Sequence, residues 1–367
     1  MKFSDFVTLQ RGFDLPKADI TPGHVPVVGS TSIIGYHNVA KVSGSGVCTG
    51  RSGSLGTVQY INKPFWPHNT SLWVKDFHGN DPRFVYYCMQ SLDLGRFNAG
   101  AGVPTLNRNH LDSLTVNVPD LPTQRKIAGI LSAYDDLIEN NLRRIKILEE
   151  MAQSIYREWF VHFRFPGHET ATFIDSPLGQ IPKGWEIKKL GELADQMRRG
   201  VSKGGLDGPI HYVGLEHIPR QSLALDAWAE TTELGSNKLT FEPGEILFGK
   251  IRPYFHKVSV APFHGICSAD TIVIRAKKPE HRALVTACVF TEAFVAHAAA
   301  TSNGSKMPRT DWKVLKDYPH VLPPKDLLSP FSELFENAIA QQQNLVSRNQ
   351  TLRRTRDLLL PKLLSPG

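Results

Sequence analysis

Residues 121 to 161 read LPTQRKIAGILSAYDDLIENNLRRIKILEEMAQSIYREWFV. Apolar side chains recur at Ile127, Leu131, Tyr134, Ile138, Ile145, Leu148, Ala152, Ile155 and Trp159, alternately four and three apart, and only the Asn141 slot is polar. That period predicts a helix with a narrow seam meant for a second helix. At 1.5 Å per residue, about 40 residues reach roughly 60 Å, more than one small core can cover. The second helix is predicted at the other end of the chain. From Pro330 to Leu360 the alternation returns at Phe331, Phe335, Ala338, Leu345, Leu352 and Leu359, with Gln342, Asn349 and Arg356 in the remaining seam slots. Slid back at one constant separation, Phe331 falls on Ile127, Phe335 on Leu131, Leu345 on Asn141, Leu352 on Leu148 and Leu359 on Ile155. The polar slots of the two seams complement one another rather than coincide. Polar residues in a seam cost stability but select register and partner, so the pair reads as an intramolecular antiparallel coiled coil. The competing reading is two amphipathic helices, each packed on its own domain.

With 367 residues the chain is too long for one ordinary core and should hold two or three domains. A composition 41% hydrophobic and 21% charged is that of a soluble globular protein. No run approaches the ~18 apolar residues of a membrane span, and MKFSDFVTLQ has no apolar signal core, so a cytoplasmic location is expected. Cys48, Cys88, Cys267 and Cys288 lie far apart without a CxxC or a histidine at ligand spacing, which argues for buried thiols and against zinc or a disulfide framework. The net charge of +7 favours an anionic partner. Residues 1–120 contain no glutamate, all their acids being aspartates, a residue used in turns and caps.

Around the helices the chain repeats itself. Short strands are predicted at 24–29, 45–49, 57–61 and 71–74, with a helix from Arg83 to Leu92 capped by Asp81 and Pro82. A polar loop from Gly95 to Asn107 follows, and Leu114 to Val118 with Pro119 closes the unit just before the long helix. Residues 166–325 repeat this plan: Leu190-Gly191-Glu192-Leu193 and Arg199-Gly200 echo Phe6 and Arg11-Gly12, and Gly249-Lys250 echoes Gly50-Arg51. Thr271-Ile272-Val273 aligns with Leu72-Trp73-Val74, one helix is predicted from Glu280 to about Ala300, and Pro308, Leu315 and Pro323 fall on Pro104, Leu111 and Pro119. The order is globule, long helix, globule, long helix.

This order of motifs resembles the specificity subunit of type I restriction-modification systems. The resemblance rests on Pro119 to Val161 with His162 to Gly167, on Leu178-Gly179-Gln180-Ile181-Pro182-Lys183-Gly184-Trp185, on Gly244 to Pro253, and on Leu322-Pro323-Pro324 entering the last helix. It implies an α+β protein with two target-recognition domains, 1–120 and 166–325, separated by a central helix, 121–165, and a C-terminal helix, 326–367. It also implies a non-catalytic subunit that reads a bipartite, asymmetric sequence in double-stranded DNA. Two methyltransferase subunits, with restriction subunits reached through them, are the implied partners; S-adenosylmethionine is expected on the methyltransferases and no cofactor on this chain.

Candidate DNA contacts are basic and amide side chains on loops: Arg11, Lys41, Arg51, Arg96, Asn98, Asn107 and Arg108 in the first domain, and Arg199, Lys203, Lys250, Arg252, Lys257, Lys306 and Arg309 in the second. Arginine can grip the O6/N7 edge of guanine and asparagine the N6/N7 edge of adenine, whereas lysine more often meets phosphate. The competing reading of each is a solvated charge or a structural ion pair. Arg51 and Lys250 lead the set because one repeat position is basic twice. A lone adenine methyltransferase is the rival class, suggested by Asn62-Lys63-Pro64-Phe65 and the nearby glycines, but those glycines sit among short strands and not in a strand-to-helix turn. Glu242, Glu245 and Asp270 form no second carboxylate cluster of the kind a metal-dependent nuclease needs.

Overall fold

The computed structural model describes residues 1–100 and 102–364. The chain divides into two compact units: Met1–Ile138 with Thr351–Gly367, and Glu139–Gln350.

The first unit opens with a single helical turn, α1 (Phe3–Phe6), and strand β1 (Thr8–Arg11). A hairpin follows, β2 (Val25–Val28) with β3 (Ile33–His37), then β4 (Gly46–Gly50), β5 (Val58–Ile61), β6 (Trp66–Pro67) and β7 (Ser71–Asp76). One antiparallel sheet has the order β1-β7-β4-β5; a second has the order β3-β2-β6, with β2 and β6 parallel. Every residue of β4 is buried, which suits a strand in the middle of its sheet. Helix α2 (Pro82–Ser91) starts where expected: the Asp81 carboxylate accepts from the backbone N–H of Arg83 and Phe84, each at 3.0 Å. Its buried face, with Phe84, Val85 and Met89, joins Val47, Leu72 and Val74 in the core. The closing segment 114–118 is tied back to the start of the chain: Thr115 makes one bridge to Lys2, and Val116 donates to the Met1 carbonyl at 2.9 Å. At the start of the predicted 95–107 loop Leu94–Phe97 forms a 3-10 turn, and Leu106 near its end is buried; residue 101 lies outside the described residues. Helix α3 (Leu121–Tyr156) then starts at Asp120, whose carboxylate accepts from Thr123 N–H at 3.1 Å; the Thr123 hydroxyl first and that N–H second hold its carboxyl below the usual range.

The second unit adds a hairpin, β8 (Phe173–Ser176) with β9 (Gly179–Pro182), then β10 (Glu186–Lys189), α4 (Leu190–Leu193) and β11 (Ala194–Met197). Next come β12 (Gly200–Val201), β13 (Gly204–Val213), β14 (Ala229–Leu234), β15 (Lys238–Phe241), β16 (Ile246–Gly249), β17 (Val258–Val260), β18 (Gly265–Ser268) and β19 (Thr271–Ala276). The order β11-β19-β16-β17 reproduces that of the first unit, strand for strand. The second sheet, β12-β15-β18-β13-β14, keeps the parallel pair and the hairpin but has a full β15 where the first unit has one bridge, Val42 to Phe65.

Strand register corrects two of the sequence alignments. Gly50 lies opposite Ser71 and Gly249 opposite Thr271, so Leu72-Trp73-Val74 correspond to Ile272-Val273-Ile274, one residue later than the sequence pattern suggests. Gln10 faces Trp73 and Met197 faces Val273, so Arg11 corresponds to Arg198 and not to Arg199. A one-residue slip matters in a strand because it exchanges the two faces. The single predicted helix from Glu280 to Ala300 is also two, α5 (Arg282–Val289) and α6 (Glu292–Ala300), bent by 68° at the break. Thr291 causes the restart: its hydroxyl accepts from Phe294 N–H at 3.1 Å as an N-cap. A short α7 (Trp312–Leu315), β20 (Pro319–Leu322) paired with β10, and α8 (Lys325–Leu364) complete the chain.

Helices α3 and α8 run antiparallel, with part of the pairing inside each unit. In the first unit Leu359, Leu360 and Leu363 pack on the cluster holding Ile127, Ala128 and Leu131, and Arg356 pairs with Asp135. In the second, Asn141 donates to Asn349 Oδ1 at 2.8 Å, Ile145 packs with Leu345 and Val346, and Tyr156 and Phe160 meet Phe331. Each step forward along α3 is a step back along α8, and that direction brings asparagine to asparagine. Gln342 is the exception, 1% exposed with neither amide atom hydrogen-bonded. All four cysteines are free and buried, as expected, and burial pushes Cys88, Cys267 and Cys288 up to about 12. Among the described residues no single helix is long and apolar enough to cross a membrane, and no group of side chains could hold a metal ion.

Candidate nucleic-acid interface

In the first unit an open cleft of about 770 Å³ lies between the end of β1, the turn after β4 and the segment running to Arg108. Its frame is backbone hydrogen bonding. Arg51 N–H donates to the Thr70 carbonyl at 2.8 Å, Leu106 N–H to the Arg51 carbonyl at 2.8 Å, and Gly53 N–H to the Pro104 carbonyl at 2.9 Å. The chain comes so close here that a Cβ on Gly50 would sit 2.2 Å from the Ser54 carbonyl oxygen, which explains the glycine before the cation.

The second unit builds the same frame. Lys250 N–H donates to the Asp270 carbonyl at 2.8 Å, Thr310 N–H to the Lys250 carbonyl at 3.1 Å, and Arg252 N–H to the Pro308 carbonyl at 2.8 Å. A cleft of about 370 Å³ stands at the equivalent place, lined by Arg198, Lys250 and Trp312 among others. These bonds make Leu106 equivalent to Thr310, and therefore Asn107 to Asp311 and Arg108 to Trp312. The second equivalence is mechanical: Asn107 Oδ1 accepts from Asn109 N–H at 3.1 Å, and Asp311 Oδ1 accepts from Lys313 N–H at 3.0 Å, each capping the turn that follows.

Of the cations and amides chosen from the sequence, Arg11, Arg51, Asn107 and Arg108 share the first cleft. Arg11 pairs with Asp14 at 2.9 Å, Arg51 donates to the Asn69 carbonyl at 3.2 Å, and Arg108 donates to the Leu9 carbonyl at 3.1 Å. Lys41, Arg96 and Asn98 lie outside its lining. Lys41 sits 4.9 Å from the centre of the Trp66 ring, Arg96 sits 4.8 Å from that of Phe97, and Asn98 Oδ1 closes its loop on Gly100 and Thr105 N–H. In the second unit Lys250 alone of the seven lines the cleft. Arg199 is bound to the buried Glu245, which also takes Arg275 at 2.7 Å. Lys257 donates to the Leu215 carbonyl, and burial, followed by the charge of Arg220, lowers its ammonium below the usual lysine range. Arg252 lies over Phe255, Arg309 sits 3.5 Å from Asp270, and Lys203 and Lys306 are exposed on loops. Arg198 escaped the sequence reading, although a signal was present: it follows Leu193 by the same five-residue step that separates Arg11 from Phe6. The Asn62-Lys63-Pro64-Phe65 motif offers no stacking ring, because Phe65 is fully buried in a core with Val28, Cys48 and Ile61.

Two copies of one sheet-and-turn frame, each holding a basic residue at the same clamped position and each joined to part of an antiparallel helix pair, define a duplicated, helix-linked recognition protein. Residues 1–150 match the type I restriction modification DNA specificity domain. The chain is 24% identical over 299 residues to the type I restriction enzyme MjaIX specificity subunit of Methanocaldococcus jannaschii, covering 77% of this chain and 68% of that one. It is 25% identical over 281 residues to the EcoDI specificity subunit of Escherichia coli, covering 67% of this chain and 63% of the relative, so part of that relative's length has no counterpart in the match. In fold it is similar to the crystal structure of a type I restriction-modification S subunit from M. genitalium, with a TM-score of 0.65 at 16% identity over 100% of this chain and 96% of that one. Residues 1–150 thus carry that specificity domain, and the chain as a whole is similar in sequence and in fold to specificity subunits of type I restriction systems.

Proposed function

We propose that residues 1–120 and 166–325 are two target-recognition domains that each read one half of a bipartite, asymmetric site in double-stranded DNA. The helical segments 121–165 and 326–367 seat two methyltransferase subunits and, through them, the restriction subunits. This chain carries no cofactor; S-adenosylmethionine belongs to the methyltransferases, and the assembly works in the cytoplasm. The observation that supports this reading best is the repeated clamp on Arg51 and Lys250 inside clefts of unequal lining. An identical backbone frame with different side chains is what a target of two unequal halves requires. Arg11, Arg51 and Arg108 are the contacts of the first cleft, and Arg198 and Lys250 those of the second. Asn98, Asn107 and Arg199 hold the frame.

The test is to map methylated bases in cells carrying the full chain and its methyltransferase subunits, then repeat the map with Arg51→Ala and with Lys250→Ala. Arg51→Ala should cost about 1–3 kcal/mol of discrimination in one half-site and leave the other intact. Lys250→Ala should affect only the opposite half-site, less steeply, and should weaken the salt dependence of binding if the ammonium meets phosphate. Equal relaxation of both half-sites by either substitution would defeat the division of labour.

A further inference from the structure

The turn that follows the clamped cation differs between the units in one respect. In the first unit its two left-handed positions are glycines, Gly53 and Gly56, both at φ 91°. In the second unit the equivalent positions are Arg252 at φ 48° and His256 at φ 51°. Between them the first unit has Ser54-Leu55 and the second has Pro253-Tyr254-Phe255, a 3-10 turn. That added residue produces the one-residue slip in the repeat. Side chains with a Cβ resist the left-handed region, so the surroundings must hold the turn in place.

They do so on every side. The His256 ring is buried, with Nε2 2.9 Å from the Phe290 carbonyl oxygen, and Pro253 is buried beside it. Gln221 N–H donates to the His256 carbonyl at 2.9 Å, and Arg252 N–H is fastened to Pro308. The Arg220 guanidinium lies 4.0 Å from the centre of the Phe255 ring and forms no ion pair among the described residues. What the turn presents to solvent is Tyr254, 55% exposed and edge-on to Phe255 at 4.9 Å, four residues beyond the clamped Lys250.

We propose that this turn is a rigid probe which sets the Tyr254 ring against a base or sugar of the half-site read by the second unit, with Arg220, held flat on Phe255, donating to the same stretch of DNA. The inference rests on the DNA-reading function proposed above and adds contact residues to it. An aromatic face gives a stacking surface, and a guanidinium held against a ring keeps its outward N–H groups available for a phosphate or a guanine edge. The equivalent turn of the first unit carries Leu55 and has no aromatic ring, so the device acts in one half-site only.

The experiment uses the full chain assembled with its methyltransferase subunits and duplexes built on the methylated sequence, each base of both half-sites changed in turn. Tyr254→Ala should weaken target binding at least about fivefold and relax selectivity only in the half-site that Lys250→Ala also affects. Tyr254→Phe should stay within about twofold of wild type, because the ring and not the hydroxyl makes the contact. Arg220→Ala should relax the same half-site, and Leu55→Ala should leave it unchanged. Wild-type selectivity with Tyr254→Ala, in a series where Lys250→Ala loses it, would overturn the probe and spare the parent reading. Loss of methyltransferase co-purification with DNA selectivity intact would likewise overturn it in favour of a protein-docking turn. A wild-type assembly with no selectivity in either half-site would defeat the parent reading and the probe together.

Discussion

The two clefts share their backbone hydrogen bonds and two basic positions, Arg11 with Arg198 and Arg51 with Lys250, but part of their lining differs. Arg51 and Lys250 are each held by one N–H to a turn carbonyl and one carbonyl to the returning chain, yet Arg108 stands in the first cleft where Trp312 stands in the second. The difference teaches where the constraint lies. Main-chain bonds fix the clamped position in both units, and because they involve no side chains, the lining is free to diverge between repeats. A duplicated domain can in this way acquire two different targets without rebuilding its frame.

If the main-chain frame is the shared element, the glycine at its closest approach should be the most sensitive residue, and unequally so in the two copies. A Cβ at Gly50 would meet two backbone oxygens, those of Ser54 at 2.2 Å and Ser30 at 3.0 Å, neither of which can swing aside. At Gly249 the nearest atoms are Lys257 Cβ at 3.0 Å and its carbonyl oxygen at 3.3 Å, contacts that a few tenths of an ångström relieve. Gly50→Ala should therefore cost about 3 kcal/mol or more and Gly249→Ala about 1 kcal/mol, read as shifts in denaturant midpoint. Equal losses would mean that the two glycines are equally crowded and would remove this difference between the frames.

A smaller effect separates the units by pH. His320 in the second unit occupies the repeat position of the buried Val116: Leu190 N–H donates to the Tyr318 carbonyl at 2.9 Å just as Phe3 N–H donates to that of Leu114 at 2.8 Å. The His320 ring stacks on Tyr156 with its Nε2 unpartnered, and burial lowers it to about 4. An unfolded imidazole titrates near 6.5, so between pH ~6.5 and ~4 the unfolded chain binds a proton that the folded chain refuses. The stability due to the neutral ring is complete above pH ~6.5 and declines as pH falls, by up to about 3 kcal/mol near pH 4. His320→Val, which copies the first unit, should flatten most of that decline; His256 and His281, also lowered by burial, leave a residual slope. Melting temperatures at pH 7 and pH 4.5 decide it, and an unchanged slope in the variant would assign the acid sensitivity elsewhere.

Much of this architecture was legible because it is written in periods. The heptad at Ile127 to Trp159 and its echo at Phe331 to Leu359 announced the helix pair, and Gly50-Arg51 with Gly249-Lys250 announced the clamped position. What escaped detection were single-residue events without a period. The added residue between Arg252 and His256 shifts the later alignment by one, and only strand register reveals it. Arg198 and Arg199 are adjacent and chemically alike; which one lines the cleft depends on strand facing, and Arg199 turns instead to Glu245. The break at Thr291 lies inside a stretch apolar enough to read as one helix, where a single hydroxyl in the cap position outweighs the surrounding propensity. For Asn98 and Asn107 the sequence offers a choice of roles that asparagine can serve equally, and only geometry shows that their oxygens engage backbone N–H groups.

The helix seam carries the same comparison at its mildest. Under the repeat, Asn141 corresponds to Leu345 and Asn349 to Ile145, so the buried amide pair and the adjacent Ile145 and Leu345 contact are images of one another, one polar and one apolar. An amide left alone in such a seam loses its partner but keeps its desolvation cost, whereas replacing both amides removes the cost as well. Asn349→Ile should therefore destabilise the chain by about 1–3 kcal/mol, and the double variant Asn141→Leu with Asn349→Ile, which copies the apolar image, should recover most or all of it. That recovery would come with a loss of register. The asparagines meet only when α3 and α8 are in step, while an all-apolar centre tolerates a slide by one heptad. Cysteine pairs introduced in the double variant at Ile145 with Leu345, and separately at Ile145 with Ala338 one heptad away, measure this directly. Crosslinking confined to the native pair would show that register is held by the rest of the seam, and a spread to partners one heptad away would assign it to the two asparagines.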